Sequence, residues 1–384
     1  MRALLCTHHL LHWSGSETVV IELAEALINK GFDVDFYAPF HVPSFVEAEL
    51  PVGSRFLTSP DEVLIVGYDL VYVQHQTLSR IVPLQPEEAL IGQGRPLFVY
   101  NHLSRFEPFE LPGPFVEVDL ADVIWVQSLR TKDEFRLRFQ PRFAWTDCVP
   151  NPAPHGFERP TVNARQQLLK LLVVSNHLPD ELRDAIGILS ASGVEVTQIG
   201  LPDENRRLRP SDVHSADAVV TIGKTVQYAL RARVPVFCYD HFGGPGWLGP
   251  DTFAPTAHDN FSGRNSPDRQ SAADIVHHLL DGYAAAAAFA VEMPSAHLEQ
   301  FRLEAYVSRL VNQVNAHRRD PRPVAANRRG VPFDLKAGRL RWAHEADLCA
   351  LIDREYGAAL RLQAHVGELG RELRALRRLK GVLS

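Results

Sequence analysis

Cysteine is scarce in this 384-residue chain, and its four copies are far apart. They are Cys6, Cys148, Cys238 and Cys349. No two of them stand at the short spacing of zinc ligands, and four scattered cysteines do not make a disulfide framework. The pattern is typical of a reducing compartment, which predicts a cytoplasmic protein.

Other absences exclude whole classes of protein. No apolar run is long enough to span a membrane, and a formal net charge of −6 argues against a general nucleic-acid binder. The fingerprint GxGxxG is missing from the first strand–loop–helix unit, which argues against a nicotinamide enzyme. No Asp-x-Asp motif stands in a suitable loop, so we expect no metal ion and no cofactor at the site.

The chain instead shows the rhythm of an α/β protein. It is 45% hydrophobic and 22% charged, which is ordinary for a globular protein with a substantial core. Short apolar runs alternate with amphipathic helical stretches, the pattern of a parallel sheet covered by helices. A proline-rich break at residues 149–154 divides this alternation into two halves. We therefore predict two Rossmann-like domains, residues 1–150 and 151–317, that face each other across a cleft.

The loop after the first predicted strand is rich in glycine and hydroxyl groups. Ser14 and Glu17 have the spacing of a capping box around Gly15 and Ser16, which predicts a helix over residues 18–30. Three histidines precede them and admit a metal site, although no acidic or cysteine partner completes a ligand set. These histidines are His8, His9 and His12.

Polar residues recur where predicted strands end. Because the carboxyl ends of parallel strands meet at one edge of a sheet, we expect these residues to line the cleft. Each of them alone is more often a helix cap or a hydrogen-bonded loop residue than a cleft residue, so the prediction depends on their recurrence. They are Gln74, His75, Asn101, His102, Gln127, Ser128, Ser175, Asn176 and His177.

The most informative stretch runs from residue 217 to residue 248. A valine-rich strand is broken by Gly223, after which Lys224 and Thr225 open a helix. A helix N-terminus, a lysine and a hydroxyl group at one place suit an anionic oxygen, most simply that of a phosphate. The alternative is an ordinary turn with Lys224 in solvent.

A second loop in this stretch follows the strand predicted over residues 234–239. Asp240, His241, Gly243 and Gly244 stand in this loop, which we expect to be irregular. Its glycines would let a ligand approach the main chain closely.

Taken in order, these segments resemble the GT-B glycosyltransferases, particularly the large retaining group called family 4, over about residues 1–317. The loop at residues 14–17 matches the glycine-rich first loop of those enzymes, which approaches the donor phosphates or the acceptor. Residues 98–102 look like their strand that ends in a histidine facing the transferred sugar. Residues 219–244 look like their donor-binding βαβ unit with its Gly-Gly loop.

The sequence departs from that family at the donor site. Where the family carries two glutamates eight residues apart, this chain has Val220 and Tyr228. The usual Arg and Lys pair after the first strand of the second domain is replaced by residues 175–177. Lys224, Thr225 and Arg264 are therefore the groups that we expect to bind the pyrophosphate instead.

The resemblance implies a transferase that uses a nucleotide-sugar donor and a glycan or lipid-linked acceptor in bacterial surface polysaccharide assembly, in the cytoplasm or on the inner face of the membrane. It implies that His102 contacts the sugar or acts as a base. A sugar-nucleotide epimerase and a catalytically silent GT-B partner subunit are the alternatives. The donor-binding residues would be Gly15, Ser16, Gly223, Lys224, Thr225, Gly243, Gly244 and Arg264. Further cleft residues would be Ser175, Asn176, His177, Tyr228, Asp240 and His241.

A helical tail follows the two halves. Residues 318–334, rich in arginine and proline, are predicted to be a linker to a helical region at residues 335–384. Apolar residues at alternating spacings of three and four predict a helix from Leu348 to Leu376 that pairs with another copy or a partner and stays outside the catalytic core. Packing on its own domain, or binding to an anionic membrane through its arginines, are the alternatives.

Overall fold

The computed structural model of the protein describes residues 1–105, 110, 112–139, 146–159, 166–202, 204–321 and 333–382. Side chains are described as far as Leu362, apart from that of Phe139. Within these ranges, no helix is both long and apolar enough to cross a bilayer.

The first half of the chain forms a parallel sheet of seven strands in the order β5-β3-β1-β6-β7-β8-β9. Alternate residues of β1 belong to different apolar clusters, with Leu5 in one and Leu4 in the other, so both faces of the sheet are covered. The elements in chain order are β1 (Arg2–Cys6), β2 (His9–Leu10), α1 (Gly15–Ile28), β3 (Asp33–Tyr37), β4 (Phe40–His41), α2 (Pro43–Glu49), β5 (Arg55–Leu57), β6 (Leu70–Gln74), α3 (Glu87–Ile91), β7 (Leu97–His102), α4 (Val116–Leu120), β8 (Val123–Val126), α5 (Leu129–Phe139) and β9 (Thr146–Cys148).

The second half forms a sheet of five strands in the order β11-β10-β12-β13-β14, of which β14 alone runs antiparallel to its neighbour. Its elements are β10 (Lys170–Val174), α6 (Asp180–Ala191), β11 (Glu195–Ile199), α7 (Pro210–Ser215), β12 (Ala218–Thr221), α8 (Lys224–Arg231), β13 (Val236–Asp240), β14 (Gly243–Trp247), α9 (Pro250–His258), α10 (Ala272–Asp281), α11 (Tyr283–Glu292), α12 (Ser295–Glu299) and α13 (Leu303–Arg319). The prediction of two Rossmann-like domains is therefore confirmed.

One predicted loop is a strand. The glycines predict an irregular loop over residues 240–246, yet Gly243–Trp247 forms β14 and pairs with β13. Gly243 and Gly244 have φ values of +82° and +157°, which a glycine adopts without strain. The strand lies at the edge of the sheet, where a bulge between Cys238 and Asp240 accommodates its irregular backbone.

The last helix of the predicted C-terminal domain returns to the N-terminal one. The linker and the start of α13 run side by side, since the Ala153 N–H donates to Phe301 O and the Leu303 N–H donates to Ala153 O at 3.0 Å. The Tyr306 hydroxyl then meets that of Tyr72 on β6 at 2.8 Å. The apolar residues that α13 adds to the N-terminal core are Leu303, Tyr306, Val307, Leu310 and Val314.

The tail is a single helix, α14 (Leu335–Val382), so its helical prediction is confirmed. Its first turns pack on the N-terminal domain, which corrects the expectation that the tail stands apart from the core. Trp342 is fully buried and donates from its indole N–H to Asp119 at 2.9 Å. Glu345 is buried too, and it accepts hydrogen bonds from the Ser79 hydroxyl and from the main-chain N–H of Val116.

The face of α14 that packs on the domain is not the stripe of apolar residues, spaced by threes and fours, that predicted helix pairing. Buried or partly buried contacts come from residues 342, 345, 349, 353 and 356, a stripe that includes two carboxylates. Leu362, one of the apolar residues on which the pairing prediction rests, is 65% exposed. Beyond Leu362 the side chains lie outside the description, so pairing of that part with a partner helix or a membrane stays a prediction.

Replacing Trp342 with Ala tests whether α14 is part of the folded domain. We expect the free energy of unfolding to fall by about 3–5 kcal/mol, because a buried indole and its hydrogen bond are lost. Urea unfolding followed by circular dichroism measures this. Leu340→Ala is the control, since Leu340 is 69% exposed and should change stability by no more than about 0.5 kcal/mol. Equal effects of the two substitutions would contradict the packing of α14.

Candidate functional site

A cavity of about 590 Å³ lies between the two domains. Its walls are loops and turns that follow β1, β6, β10, β11, β12 and β13, so the carboxyl ends of both sheets face it. This is the edge at which open α/β sheets bind ligands. The sequence predicted that these strand ends would meet. The predicted residues that line the cavity are Gly15, Ser16, His75, Ser175, Asn176, His177, Lys224, Thr225, Tyr228, Asp240 and His241.

The N-terminus of α8 opens onto the cavity as the sequence predicted. Gly223 caps this helix with a φ of +62°, a conformation that suits glycine. A side chain at Gly223 would meet no atom within 4 Å, so a ligand can approach its main chain closely. Lys224 and Thr225 follow it and line the cavity. The first N–H groups of an α-helix have no partner inside the helix, which makes this turn a site for an anion.

The ammonium group of Lys224 has protein partners. It lies 2.8 Å from Glu22 of α1 in the other domain and also contacts the main-chain oxygen of Pro152. The hydroxyl of Tyr228, one turn later on α8, donates to the second oxygen of Glu22. Burial lowers the pKa of Lys224, and the nearby Glu22 opposes that shift. Lys224 therefore joins the two domains, and its charge is already balanced before any ligand enters.

Arg206 is the other described cation among the residues that line the cavity, and it too is paired. Its guanidinium contacts Asp212 at 2.7 Å and Glu204 at 2.7 Å. Over the part of the chain that the structure describes, every Lys and Arg of the cavity wall is thus engaged with a carboxylate.

A second set of contacts between the domains involves Trp13, just before the glycine-rich loop that precedes α1. The side-chain amide of Asn205 accepts from the Trp13 N–H at 2.8 Å and donates to the Trp13 carbonyl at 2.9 Å. Asn176 donates to the same carbonyl at 3.0 Å. Arg207 pairs with Glu25 of α1 through both of its terminal nitrogens. These bonds fix the glycine-rich loop of the first domain against the second.

The predicted capping box at the start of α1 does not form. The Ser14 side chain makes no hydrogen bond to a helix N–H, and its hydroxyl donates to the carboxylate of Glu17 instead. The Ser16 hydroxyl donates to the same oxygen at 2.9 Å. Glu17 is 2% exposed and places a negative charge at this helix N-terminus, which makes α1 the weaker of the two anion sites.

His102 does not face the cavity, which corrects its predicted contact with the sugar. It belongs to β7 and is 1% exposed. Its ring nitrogens lie 2.7 Å from the Glu117 carboxylate and 3.1 Å from the main-chain oxygen of Glu110. Both partners accept hydrogen bonds, so the ring is held with both nitrogens protonated. Burial alone would lower its pKa, but Glu117 outweighs burial and raises the pKa above the ordinary value.

The glycines of β14 also have a structural explanation. A Cβ on Gly244 would stand 2.0 Å from the Cys238 carbonyl, and one on Gly243 would stand 2.9 Å from the Ser266 carbonyl. Close packing of main chain against main chain therefore requires both glycines, and neither lines the cavity.

Arg264 likewise lies outside the cavity wall, whereas Phe242 belongs to it. The guanidinium of Arg264 stacks on the Phe242 ring, 4.0 Å from its centre. Its predicted contact with the pyrophosphate is not supported by this position.

Histidines line both sides of the cavity. On the second domain, the rings of His177 and His241 lie 4.8 Å apart, and burial lowers the pKa of His177. On the first domain, His75 lies 3.2 Å from Glu110 and accepts a hydrogen bond from the His8 N–H. These side chains do not converge on one point, and in the described ranges no three His, Cys, Asp or Glu residues form a group that could hold a metal ion.

Several residues of the site were not predicted. Among them, Glu22, Asn205, Glu110 and Tyr356 either line the cavity or hold its walls together. Glu22 is a charged residue within helix α1, and Tyr356 lies in the tail. Each of these residues takes part in the site because the fold brings it next to residues that are distant in the sequence. No local sequence pattern could therefore identify it.

Known proteins resemble this one in fold and not in sequence. No protein-family model matches the chain, and no curated protein matches its sequence. A glycosyltransferase from Rickettsia africae ESF-5 matches with a TM-score of 0.51 at 9% identity, over 82% of this chain and 98% of that one.

Two further solved structures match less closely in shape. A proposed UDP-N-acetylglucosamine 2-epimerase from Listeria monocytogenes has a TM-score of 0.49 at 12% identity, over 84% of this chain and 97% of that one. The lipopolysaccharide outer core galactosyltransferase WaaB has a TM-score of 0.49 at 12% identity, over 82% and 99%. The chain thus has the GT-B fold that the sequence predicted, and the comparisons do not single out the family 4 group.

Lys224→Met tests the ion pair between the domains. We expect the free energy of unfolding to fall by about 3–5 kcal/mol, because the Glu22 carboxylate stays buried without its cation. Adding Glu22→Gln should restore most of the loss, since the amide keeps an acceptor for the Tyr228 hydroxyl and carries no charge. Lys170→Met is the control, because the Lys170–Glu195 pair is exposed and contributes at most about 1 kcal/mol. A double variant as unstable as Lys224→Met would contradict this account.

His102→Gln tests the buried pair with Glu117 through its dependence on pH. The pKa of His102 is raised in the folded protein, so its stabilisation is fully present below the ordinary value of 6.5 and is lost as pH rises through the folded value. We expect the substitution to lower the free energy of unfolding by about 3–5 kcal/mol at pH 6 and by less at pH 9. Urea unfolding at both pH values measures this, with the exposed His344→Gln as control. A cost that does not change with pH would refute the charged pair.

Proposed function

We propose that the protein is a glycosyltransferase that moves a sugar from a nucleotide-sugar donor to a glycan or lipid-linked acceptor in the assembly of a bacterial surface polysaccharide. The observation that carries the proposal is the cavity of about 590 Å³ at the carboxyl ends of both sheets. Its volume lies in the usual range of small-molecule sites, roughly 300–1,000 Å³. The GT-B fold places a donor on one domain and an acceptor on the other, and here each domain supplies one wall.

The donor diphosphate is assigned to the N-terminus of α8. The positive end of the helix and the Thr225 hydroxyl, which line the cavity, both favour an anion there, whereas Gly223 itself lies outside the cavity wall. Lys224 contributes its main-chain N–H, because its ammonium group is bound to Glu22. The nucleoside is assigned to the neighbouring wall, where the rings of His177 and His241 offer faces on which a base can stack.

Glycosyl transfer requires that the leaving diphosphate be stabilised, that sugar and acceptor be aligned, and that water be kept out. The bonds from Asn205 and Asn176 to Trp13 hold the two domains together over the cavity, which serves the alignment. We propose a reaction that needs no metal ion, because the loops at the cleft carry no Asp-x-Asp motif. We also propose a cytoplasmic location, with contact to the inner face of the membrane where the acceptor is lipid-linked.

A catalytically silent GT-B subunit is the second candidate. One observation favours it: the described cations of the cavity wall, Lys224 and Arg206, are both paired with carboxylates, and the two donor-site glutamates of the family are replaced. Such a subunit would bind no nucleotide, so a binding measurement separates the two candidates.

Gly15→Leu tests whether the cavity is the substrate site. A side chain at Gly15 meets no protein atom within 4 Å and would project into the cavity. We expect the variant to fold normally and to bind UDP, GDP, ADP or dTDP at least tenfold more weakly than the parent, a loss of about 1.4 kcal/mol. Thermal shift measures binding, and release of nucleoside diphosphate from the matching sugar nucleotide in the presence of an acceptor extract measures turnover.

Gly187→Leu is the matched control, since Gly187 lies on the exposed surface of α6 and also has open space around it. It should bind nucleotides as the parent does. If the parent protein binds none of the four nucleoside diphosphates, the result supports the second candidate, a catalytically silent GT-B subunit. Turnover of sugar nucleotide without any acceptor would identify an epimerase instead.

A further inference from the structure

The tail helix reaches the cavity. Tyr356 of α14 lines it together with His9 and His75 of the first domain. The turn before Tyr356 is fixed by Asp353, which pairs with Arg80 and lies 3.3 Å from His8. Arg80 is itself 9% exposed in its side chain, so this anchor is largely shielded from water. The packing of α14 on the first domain therefore fixes the position of Tyr356 at the cavity.

Tyr356 forms a cluster of rings with residues from the first domain. Its ring lies 5.2 Å from that of His9, 5.5 Å from that of His8 and 5.1 Å from that of Phe40, in edge-to-face or tilted geometry. Gly357 follows it, and a Cβ there would stand 3.4 Å from Phe40, so glycine permits the close approach of helix and strand β4. Through Tyr356 and His9, this cluster of four packed rings forms part of the cavity wall on the first domain.

The acidic and basic side chains that the first domain contributes to this wall, histidines apart, are carboxylates in the described part of the chain. Glu17 and Glu110 line it, while no described Lys or Arg from the first domain does. Burial lowers the pKa of His8 to about 4 and that of His9 to about 2, with neighbouring histidines and Arg80 adding to the shift, so both rings are neutral near pH 7. This wall repels an anionic group, in contrast to the wall formed by the N-terminus of α8.

We propose that the recess bounded by Tyr356, His9, His75, Glu17 and Glu110 is an acceptor subsite that takes a neutral, hydroxyl-rich sugar ring, with Tyr356 as a specificity-determining residue. The proposal rests on the proposed function, because it assigns this wall to the acceptor. Aromatic faces pack against the apolar C–H face of a sugar ring, and the carboxylates accept hydrogen bonds from its hydroxyl groups. The tail helix is then a part of the substrate site.

The test uses the full-length chain and small probes. The neutral probes are the methyl glycosides of glucose, galactose, mannose and N-acetylglucosamine, and methyl glucuronide is the anionic match to the glucoside. Saturation-transfer NMR measures binding of each probe, and thermal shift with UDP and GDP measures the donor side separately. We expect at least one neutral glycoside to bind, at least tenfold more tightly than the glucuronide.

Tyr356→Ala should weaken that binding at least fivefold and leave the nucleotide-induced thermal shift unchanged. Tyr356→Leu keeps an apolar contact with Phe40 but has no aromatic face, so the same loss of glycoside binding is expected. This variant replaces Tyr356→Ala in the test if the alanine variant folds poorly. Leu351→Ala is the control on the same helix, because Leu351 is 49% exposed and lies outside the cavity wall. It should bind the glycosides as the parent does.

Other results would overturn the assignment. Unchanged glycoside binding in both Tyr356 variants removes Tyr356 from the subsite, and equal binding of the glucuronide removes the preference for a neutral ring. A parent that binds nucleoside diphosphates but none of the glycosides rules out the subsite and leaves the proposed function standing. A parent that binds neither kind of probe rules out both.

Discussion

The arrangement of the two domains depends on one buried carboxylate. Glu22 of α1 receives the ammonium group of Lys224 and the hydroxyl of Tyr228, both from α8, and it is 2% exposed. A buried charge that loses its partner costs several kcal/mol, so the domains do not part easily at this point. The contact fixes the distance between α1 and α8 and hence the width of the cavity. It also means that the ammonium group of Lys224 is already paired at the N-terminus of α8, so an anion there would meet main-chain dipoles.

The N-terminal domain is completed by the end of the chain. Helix α13 covers one face of its sheet through residues such as Tyr306, and α14 covers part of the other face through Trp342. These contacts join residues more than 200 positions apart, as in the pairs Tyr72–Tyr306 and Asp119–Trp342. The first turns of the tail are therefore part of the folded N-terminal domain. The tail buries apolar surface of the domain and brings Tyr356 to the cavity.

The two walls of the cavity differ in charge. The wall on the second domain carries a helix N-terminus with open space above Gly223, whereas the wall on the first domain carries Glu17 and Glu110 among neutral rings. An anionic ligand is favoured on one side and disfavoured on the other. This asymmetry follows from burial and pairing more than from the number of charged residues.

The sequence by itself determined the main parallel strands, several of the helices and the sheet edge at which the cavity lies, although not β14. Periodicity and glycine positions placed β1 at Arg2–Cys6 and the α8 N-terminus at Lys224, because local backbone preference and burial of alternate residues fix such elements. Only the tertiary structure decided which polar side chains face the cavity. His102 is the last residue of its strand and lies buried beside Glu117, and Lys224 pairs with Glu22 from the other domain. A side chain's electrostatic partner comes from elsewhere in the chain, and that partner decides whether its charge is free for a ligand.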